Sequence, residues 1–288
     1  MLESIMNPTK SERGPWKMFF VGIIYASLSL LLVHWFFRDT LSEASGMIVV
    51  AFCIMFSLPY MYFIIKKEEQ MDEQVEGLMS IWKIHKDAIY SLMWLFLGFI
   101  IAFSFWYIVL QDSNLLNFQV QTFCQINNPG NIQGCVSQYS FGNLNSAATG
   151  VTGNATSGTR FFSILENNVY VMIFTLVFSL IFGAGAIFVL VWNASVISAA
   201  VGIFTKYQIS ELPLGLARYL IHGFPEIAAY FITALAGGIF GVGILRHGWK
   251  DKRTLRVIEN AVILLFVAIT ILILADIIEV YITPLLFK

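Results

Sequence analysis

Four ionisable side chains within apolar stretches have the types and spacing that chemistry could use. His222 and Glu226 lie in the stretch Leu212–Gly243, and Asp276 and Glu279 lie near the C-terminal end of the sequence. A charged group in hydrocarbon costs roughly 2.5–3.5 kcal/mol on insertion scales, so such groups are functional hypotheses by default. One imidazole and three carboxyl groups could hold a metal ion, pass a proton or cation, or hydrogen-bond one helix to another.

The stretch around His222 also contains the residues of a helix break. Gly223 suits the left-handed residue that ends one helix, and Pro225 suits the first position of the next. Glu226 would then lie in the first turn of the second helix, where the positive dipole end favours a carboxylate. The sequence therefore predicts a short helix, a break and a second helix, with His222 and Glu226 on opposite sides of the break.

The direction of the helices predicts that the four ionisable groups lie at one depth. Asp276 and Glu279 are three residues apart, so they share one helix face, near the outer end of the last span. Glu226 begins a helix that runs the other way, from the outside inward. Glu166, Asn167 and Asn168 open another span on the outer side. We therefore expect a polar cluster in the outer part of the membrane.

Three interpretations of this cluster remain open. The first is a metal site, but the sequence contains no compact metal motif such as HExxH, and we expect neither a metal nor a cofactor. A proton or cation path is the second interpretation, because discontinuous helices and intramembrane acids recur in transporters. The third, which we favour, is structural hydrogen bonding between helices.

Composition identifies the class of protein. The chain is 58% hydrophobic and 12% charged, and its mean hydropathy is +0.75, whereas a soluble domain averages about 25% charged residues. The expected fold is an all-α transmembrane bundle in the lipid bilayer, with about seven crossings, of which one is short or discontinuous. A net charge of −1 gives no reason to expect a nucleic-acid partner.

The spans are expected to be about 20 residues long, and about 17 is the lower limit. They are Trp16–Phe37, Met47–Ile65, Ala88–Leu110, Asn168–Trp192, the short piece Ala194–Phe204, Pro225–Leu245 after the break, and Val257–Pro284. Lysine and arginine cluster in the loops that are inside if the N-terminus is cytoplasmic. We therefore predict a multi-pass cell-membrane protein with a cytoplasmic N-terminus and an external C-terminus.

Three parts follow from this arrangement. Residues 1–67 are expected to form an N-terminal hairpin of two membrane helices, and residues 88–288 a membrane core. Between them, residues 68–87 carry the apolar residues Met71, Val75, Leu78 and Trp82 at helical spacing. This pattern predicts an amphipathic helix on the inner membrane surface, and a partner-docking helix is the alternative.

The loop at 111–160 is predicted to be external. Its Asn, Gln, Ser, Thr and Gly content suggests that it cannot bury a core, so we expect much of it to be mobile. Cys124 and Cys135 are expected to form a disulfide in an oxidising compartment, and two free thiols are the alternative. Asn154 begins an N-glycosylation sequon.

An ordered set of residues resembles the stage II sporulation protein M family, and particularly its archaeal members. The set comprises His85-Lys86-Asp87-Ala88, Phe96-Leu97-Gly98, Phe162-Ser163-Ile164-Leu165, Asn167-Asn168, Gly183, Gly185, Asn193, Gly202, His222-Gly223-Phe224-Pro225-Glu226, Gly237-Gly238 and Gly241. Two departures are that Asn193-Ala194 replaces the usual Asn-Gly and that the first two spans are extra to the family core.

The resemblance implies an integral membrane protein without known catalysis. In endospore-forming bacteria the family member acts as a scaffold with peptidoglycan-degrading partners, but nothing in this sequence indicates spores. The resemblance transfers His222 and Glu226 as the main site residues, and Asn168 and Asn193 as secondary ones. We therefore expect a non-catalytic scaffold or assembly component with membrane-protein partners or a homo-oligomer. A transporter or channel is the alternative, and an intramembrane metal-dependent enzyme is the third candidate.

Overall fold

A computed structural model of the chain describes residues 14–37, 41, 44–72, 78–112, 114–127, 130–139, 157–182, 187–247 and 252–287, and these residues contain helices and no strand. The helices are α1 (Lys17–Phe36), α2 (Ser45–Asp72), α3 (Leu78–Leu110), α4 (Asn117–Asn127), α5 (Ile132–Gln138), α6 (Ser157–Phe182), α7 (Ile187–Phe204), α8 (Leu212–His247), α9 (Lys252–Ile277) and α10 (Thr283–Leu286). A 3₁₀ turn at Ile209–Glu211 precedes α8, and a π-helical turn at Ile278–Ile282 joins α9 to α10.

Seven of these helices are long and apolar enough to cross a membrane, namely α1, α2, α3, α6, α7, α8 and α9 with its extension. The predicted multi-pass, all-α architecture is therefore confirmed, and α7, with 18 residues, is its short span. The predicted boundary between the fourth span and the short piece is wrong. Residues 187–192 begin α7 rather than ending α6, because unbroken apolar composition does not show where one span ends and the next begins.

The predicted helix break at Gly223 and Pro225 is also wrong. α8 is continuous from Leu212 to His247, with Pro225 in its interior. A proline removes one backbone donor, and membrane helices tolerate this loss where neighbouring helices pack against them. Gly223 is helical and buried, near Ile197 of α7. His222 and Glu226 are therefore one turn apart on one helix.

The predicted surface helix over residues 68–87 is wrong as well. Residues 68–72 complete α2 and residues 78–87 begin α3, so Met71 lies on one helix and Leu78 and Trp82 lie on another. Val75 lies outside the described residues. Glu68 and His85, which a surface helix would expose, are fully buried. Helical periodicity alone does not show whether one helix continues across a charged segment.

Close backbone contacts hold the spans together. A Cβ atom added to Gly22 of α1 would lie 2.3 Å from the carbonyl oxygen of Leu95 in α3. One added to Gly241 of α8 would lie 2.3 Å from the carbonyl oxygen of Leu180 in α6. Membrane helices approach this closely where small residues replace larger side chains. α1 is thus packed closely against α3, and it also contacts α2.

Residues 114–139 correct the expectation of a coreless external loop. Here α4 and α5, which we call the disulfide cap, pack against α7 and the end of α3. The cap shares a small core with α3 and α7 that includes Leu116, Val120, Cys124, Cys135 and Tyr107. The predicted Cys124–Cys135 disulfide is present. The sequon at Asn154, like Gly183 and Gly185, lies outside the described residues.

Charged residues on α8 and α9 mark two levels of the bundle. Twenty residues separate Glu226 from Arg246, and twenty separate Arg256 from Asp276. At roughly 1.5 Å a residue, each interval spans about 30 Å of helix, which is about the thickness of the hydrocarbon core. The level of Glu226 and Asp276 is therefore near one hydrocarbon boundary, towards the disulfide cap, and not in the middle of the bilayer.

Candidate functional site

The candidate site is a group of polar side chains where α6, α8 and α9 meet. We call it the carboxyl layer, and it consists of Asn168, Glu226, Tyr230, Asp276 and Glu279. α8 packs along both α6 and α9, and α6 and α9 also contact each other. The three helices bring residues from distant parts of the sequence to one level.

The best-defined contact of the layer joins α6 to α9. Nδ2 of Asn168 donates a hydrogen bond of 2.7 Å to Oδ1 of Asp276. Both side chains are buried. Nδ2 of Asn167 approaches Oδ1 of Asn168 at 3.3 Å, so the two predicted amides and one predicted acid do lie together. The second oxygen of Asp276, Oδ2, is buried with no hydrogen-bond partner among the described residues.

Glu226 is the carboxyl group that α8 contributes. Its Oε1 accepts a hydrogen bond of 2.9 Å from the hydroxyl group of Tyr230, one turn further along α8. Glu279 and Asp276 are close enough to act on Glu226 electrostatically. The structure thus groups three of the predicted acids. Tyr230 was missed, although its spacing of four residues from Glu226 was visible in the sequence.

A π-helical turn shapes the end of α9. It covers Ile278–Ile282, carries Glu279, and ends directly before Thr283 and Pro284. The hydroxyl group of Thr283 donates to the carbonyl oxygen of Ile278 at 3.2 Å. Single π turns of this kind occur often at functional sites. The proline was a visible signal of irregular geometry that the sequence reading did not use.

His222 lies one turn from Glu226, towards the disulfide cap. Its Nδ1 is 3.3 Å from the hydroxyl oxygen of Thr283, so it links α8 to the last turn of the chain. Arg218, one turn further, donates to the carbonyl oxygen of Phe287 at 3.1 Å. Its guanidinium group also stacks over the ring of Phe204, 4.7 Å from the centroid. This part of α8 therefore anchors the C-terminal turn.

Two other findings limit what the layer can do. Asn193, which was expected to belong to the cluster, donates at 2.7 Å to the carbonyl oxygen of Val189 on its own helix. The described residues hold no group of three His, Cys, Asp or Glu side chains placed to bind a metal ion. The arrangement can link helices, and its carboxyl groups can accept protons or attract a cation.

A second charged group lies at the opposite end of the bundle. We call it the ion-pair cluster: Glu68 and Glu69 on α2, His85 on α3 and Arg246 on α8. Nδ1 of His85 is 2.6 Å from Oε2 of Glu68, and Nη1 of Arg246 is 2.6 Å from Oε2 of Glu69. Sequence reasoning missed this cluster because the two acids were assigned to a surface helix. Their position at the end of an apolar span was the available signal.

Comparison with known proteins is consistent with this architecture. The chain matches the family described as Stage II sporulation protein M over residues 18–284, a range that includes α1 and α2. It is 33% identical over 130 residues to the uncharacterized protein MJ0793 of Methanocaldococcus jannaschii. That alignment covers 43% of this chain and 71% of the relative. No solved structure matches the chain.

Proposed function

The chain belongs to the stage II sporulation protein M family, and from this premise we propose that it is a non-catalytic scaffold or assembly component of a membrane complex. The observation that carries the proposal is the hydrogen bond between Asn168 and Asp276. The bond supports a structural role for the carboxyl layer, because an acid that links two helices has to keep a fixed position between them. Nothing in this argument requires the sporulation process.

Further contacts between helices support the same use of polar groups. Nε1 of Trp106 donates to the hydroxyl oxygen of Ser27 at 2.9 Å, linking α3 to α1. The hydroxyl group of Ser198 lies 3.2 Å from the carbonyl oxygen of Ile100 on α3 and 2.8 Å from that of Ala194 on its own helix, so its one proton is shared between α3 and α7. Hydrogen bonds of this kind specify which helix packs against which. A bundle fixed in this way is suited to presenting a constant surface to membrane-protein partners or to other copies of the chain.

The proposal is tested by purification of the tagged chain from native membranes in a gentle detergent. Wild type is compared with Glu226→Gln, and Glu166→Gln is the matched control because Glu166 is exposed on α6. We expect a partner in stoichiometric amount with the wild type and the control, and its loss with Glu226→Gln. Purification of the wild type with no partner and as a monomer would overturn the scaffold proposal.

A transporter or channel is the second candidate. It is favoured by the three carboxyl groups of the carboxyl layer, of which Asp276 retains one buried oxygen without a hydrogen-bond partner in the described part of the chain. The adjacent π turn adds irregular backbone of the kind that lines ion sites in transporters. This candidate predicts a proton or cation flux in proteoliposomes that Glu226→Gln abolishes and Glu166→Gln preserves.

We propose that the N-terminus is cytoplasmic and the C-terminus external in the cell membrane. Lys66, Lys67, Lys83 and Lys86 gather at the end of the bundle opposite the disulfide cap, which supports this orientation by the positive-inside rule. The buried disulfide supports it too, because external compartments are oxidising. A protease that cannot cross the membrane should remove a tag after Lys288 from intact cells and leave a tag before Met1 in place. The reverse pattern would overturn the orientation.

A further inference from the structure

The ion-pair cluster joins three helices through two consecutive residues. Successive residues of a helix point about 100° apart, so neighbours in the sequence can face different partners. Glu68 pairs with His85 of α3, while Glu69 pairs with Arg246 at the end of α8. The last turn of α2 thus holds both α3 and α8.

Most of the charged groups in the ion-pair cluster are buried. The side chains of Glu68, Glu69 and His85 have no exposed surface, whereas that of Arg246 is 30% exposed. Removing one partner of a buried ion pair is strongly unfavourable, because the other charge stays buried without compensation. Separating the two partners into water costs less free energy, because each ion regains its hydration. Because the side chain of Arg246 is partly exposed, the pair with Glu69 can open by hydration at that edge.

We propose that the ion-pair cluster is a conformational latch, which holds the end of α8 against α2 and α3 and releases it as a unit. Directly beside the latch, Ile65 of α2 is buried over Gly238 of α8, where an added Cβ would lie 2.6 Å from Cδ1 of Ile65. When the latch opens, α8 moves away from α2 and water reaches Ile65. The proposal concerns the end of the bundle opposite the carboxyl layer, so it stands or fails independently of the scaffold function.

Thiol labelling of the full-length protein in nanodiscs tests the latch. The parent carries Cys53→Ser and Ile65→Cys, which leaves one reactive thiol because Cys124 and Cys135 are bonded to each other. A small maleimide should label this thiol slowly in the parent. With Glu69→Gln added, labelling should be about tenfold faster or more, within the range that coupling between two sites commonly produces.

Three further variants make the test specific. The exchange of Glu69→Arg with Arg246→Glu restores opposite charges and should return the rate to near that of the parent. Glu259→Gln removes an exposed carboxylate from the N-terminal part of α9, which lies at the same end of the bundle as the latch. This variant should leave the labelling rate unchanged. If Glu69→Gln does not fold, as judged by size-exclusion profile and an intact disulfide, Arg246→Gln replaces it. This variant removes the charge that pairs with Glu69 and should label faster than the parent.

Two results would overturn the latch. One is labelling of the folded Glu69→Gln or Arg246→Gln variant at the rate of the parent, which would mean that the ion pair does not control opening. The other is a charge exchange that labels as fast as the single Glu69→Gln variant, which would mean that pairing between these two positions is not what holds α8 in place.

Discussion

Nδ2 of Asn168 and Oδ1 of Asp276 lie 2.7 Å apart, although 108 residues separate them in the sequence. The bond joins the middle of α6 to the last turns of α9 at the level where Glu226 projects from α8. Because both side chains are almost fully buried, each pairs with a polar group of the other that would otherwise lie buried without that partner. This relationship makes the carboxyl layer part of the bundle's architecture.

The energetic coupling of these two residues is the first prediction. A double-mutant cycle of Asn168→Ala and Asp276→Ala should give a favourable interaction energy of about 1 kcal/mol, which is within the range measured for hydrogen bonds in membrane proteins. The measurement is reversible unfolding of the four proteins in mixed micelles. Additive effects of the two substitutions would show that the bond contributes nothing to stability.

The continuity of α8 is tested at Gly223. In a continuous helix Gly223→Ala should stabilise the protein by up to about 1 kcal/mol, because alanine is the better helix former and a Cβ would meet only Ile197 Cδ1, at 3.8 Å. If Gly223 ended a helix in the left-handed conformation, alanine would destabilise it.

The matched variant on the same helix is Gly241→Ala. Its Cβ would lie 2.3 Å from the carbonyl oxygen of Leu180, so α6 and α8 would have to separate. We expect a loss of about 1–3 kcal/mol, as for overpacked cores. The two alanine variants, measured together by thermal unfolding, should therefore shift the midpoint in opposite directions.

The disulfide cap provides a prediction on local stability. Cys124 and Cys135 are 11 positions apart in the sequence, and closing a loop of about this size stabilises the folded state by about 3 kcal/mol in the chain-entropy account. Replacing both cysteines by serine should raise hydrogen exchange across α4 and α5 by a corresponding factor. The amides of α8 near Gly241 should exchange as before, because that region lies at a distance from the cap. Unchanged exchange in the cap would show that its core, and not the disulfide, holds it.

Tyr207 gives a prediction for the dependence of stability on pH. It lies between α7 and α8, donates to the carbonyl oxygen of Tyr139 at 2.8 Å, and has a positive φ of 57°. Burial raises the pKa of Tyr207 to about 12. Because the folded state prefers the neutral hydroxyl group, this stabilisation is complete below pH 10 and is lost as the pH rises towards 12.

The measurement compares wild type with Tyr207→Phe, which has no hydroxyl group to titrate. Between pH 10 and pH 11 the free energy of unfolding of the wild type should fall by about 1 kcal/mol more than that of the variant. Parallel pH profiles of the two proteins would contradict the assignment.

Much of the architecture could be predicted from the sequence because lipid imposes strong rules. Runs of about 20 apolar residues specify spans, and the antiparallel order of spans placed Glu226, Asn168 and Asp276 at one level before any contact was visible. The pairing of Cys124 with Cys135 followed from their position on one side of the membrane. The spans, the shared level of the polar residues and the disulfide pairing all follow from which segments are apolar and from their order in the chain.

The remaining features depend on packing, which composition does not record. Gly223 and Pro225 have local preferences for a break, yet neighbouring helices stabilise a continuous α8 around them. Glu68 and Glu69 look like surface residues until the partners on α3 and α8 are known. The described part of the polar segment before α6 forms the disulfide cap, because α3 and α7 supply the apolar surface that it lacks.

The mass of the complex extracted from native membranes tests the central claim most directly. Tagged wild-type protein is released in lipid nanodiscs without detergent and analysed by native mass spectrometry. The scaffold account predicts a species heavier than the 32.5 kDa chain, in which the chain is associated with a membrane protein or with other copies of itself in a fixed ratio. A species that contains one copy of this chain with lipid alone would contradict the account.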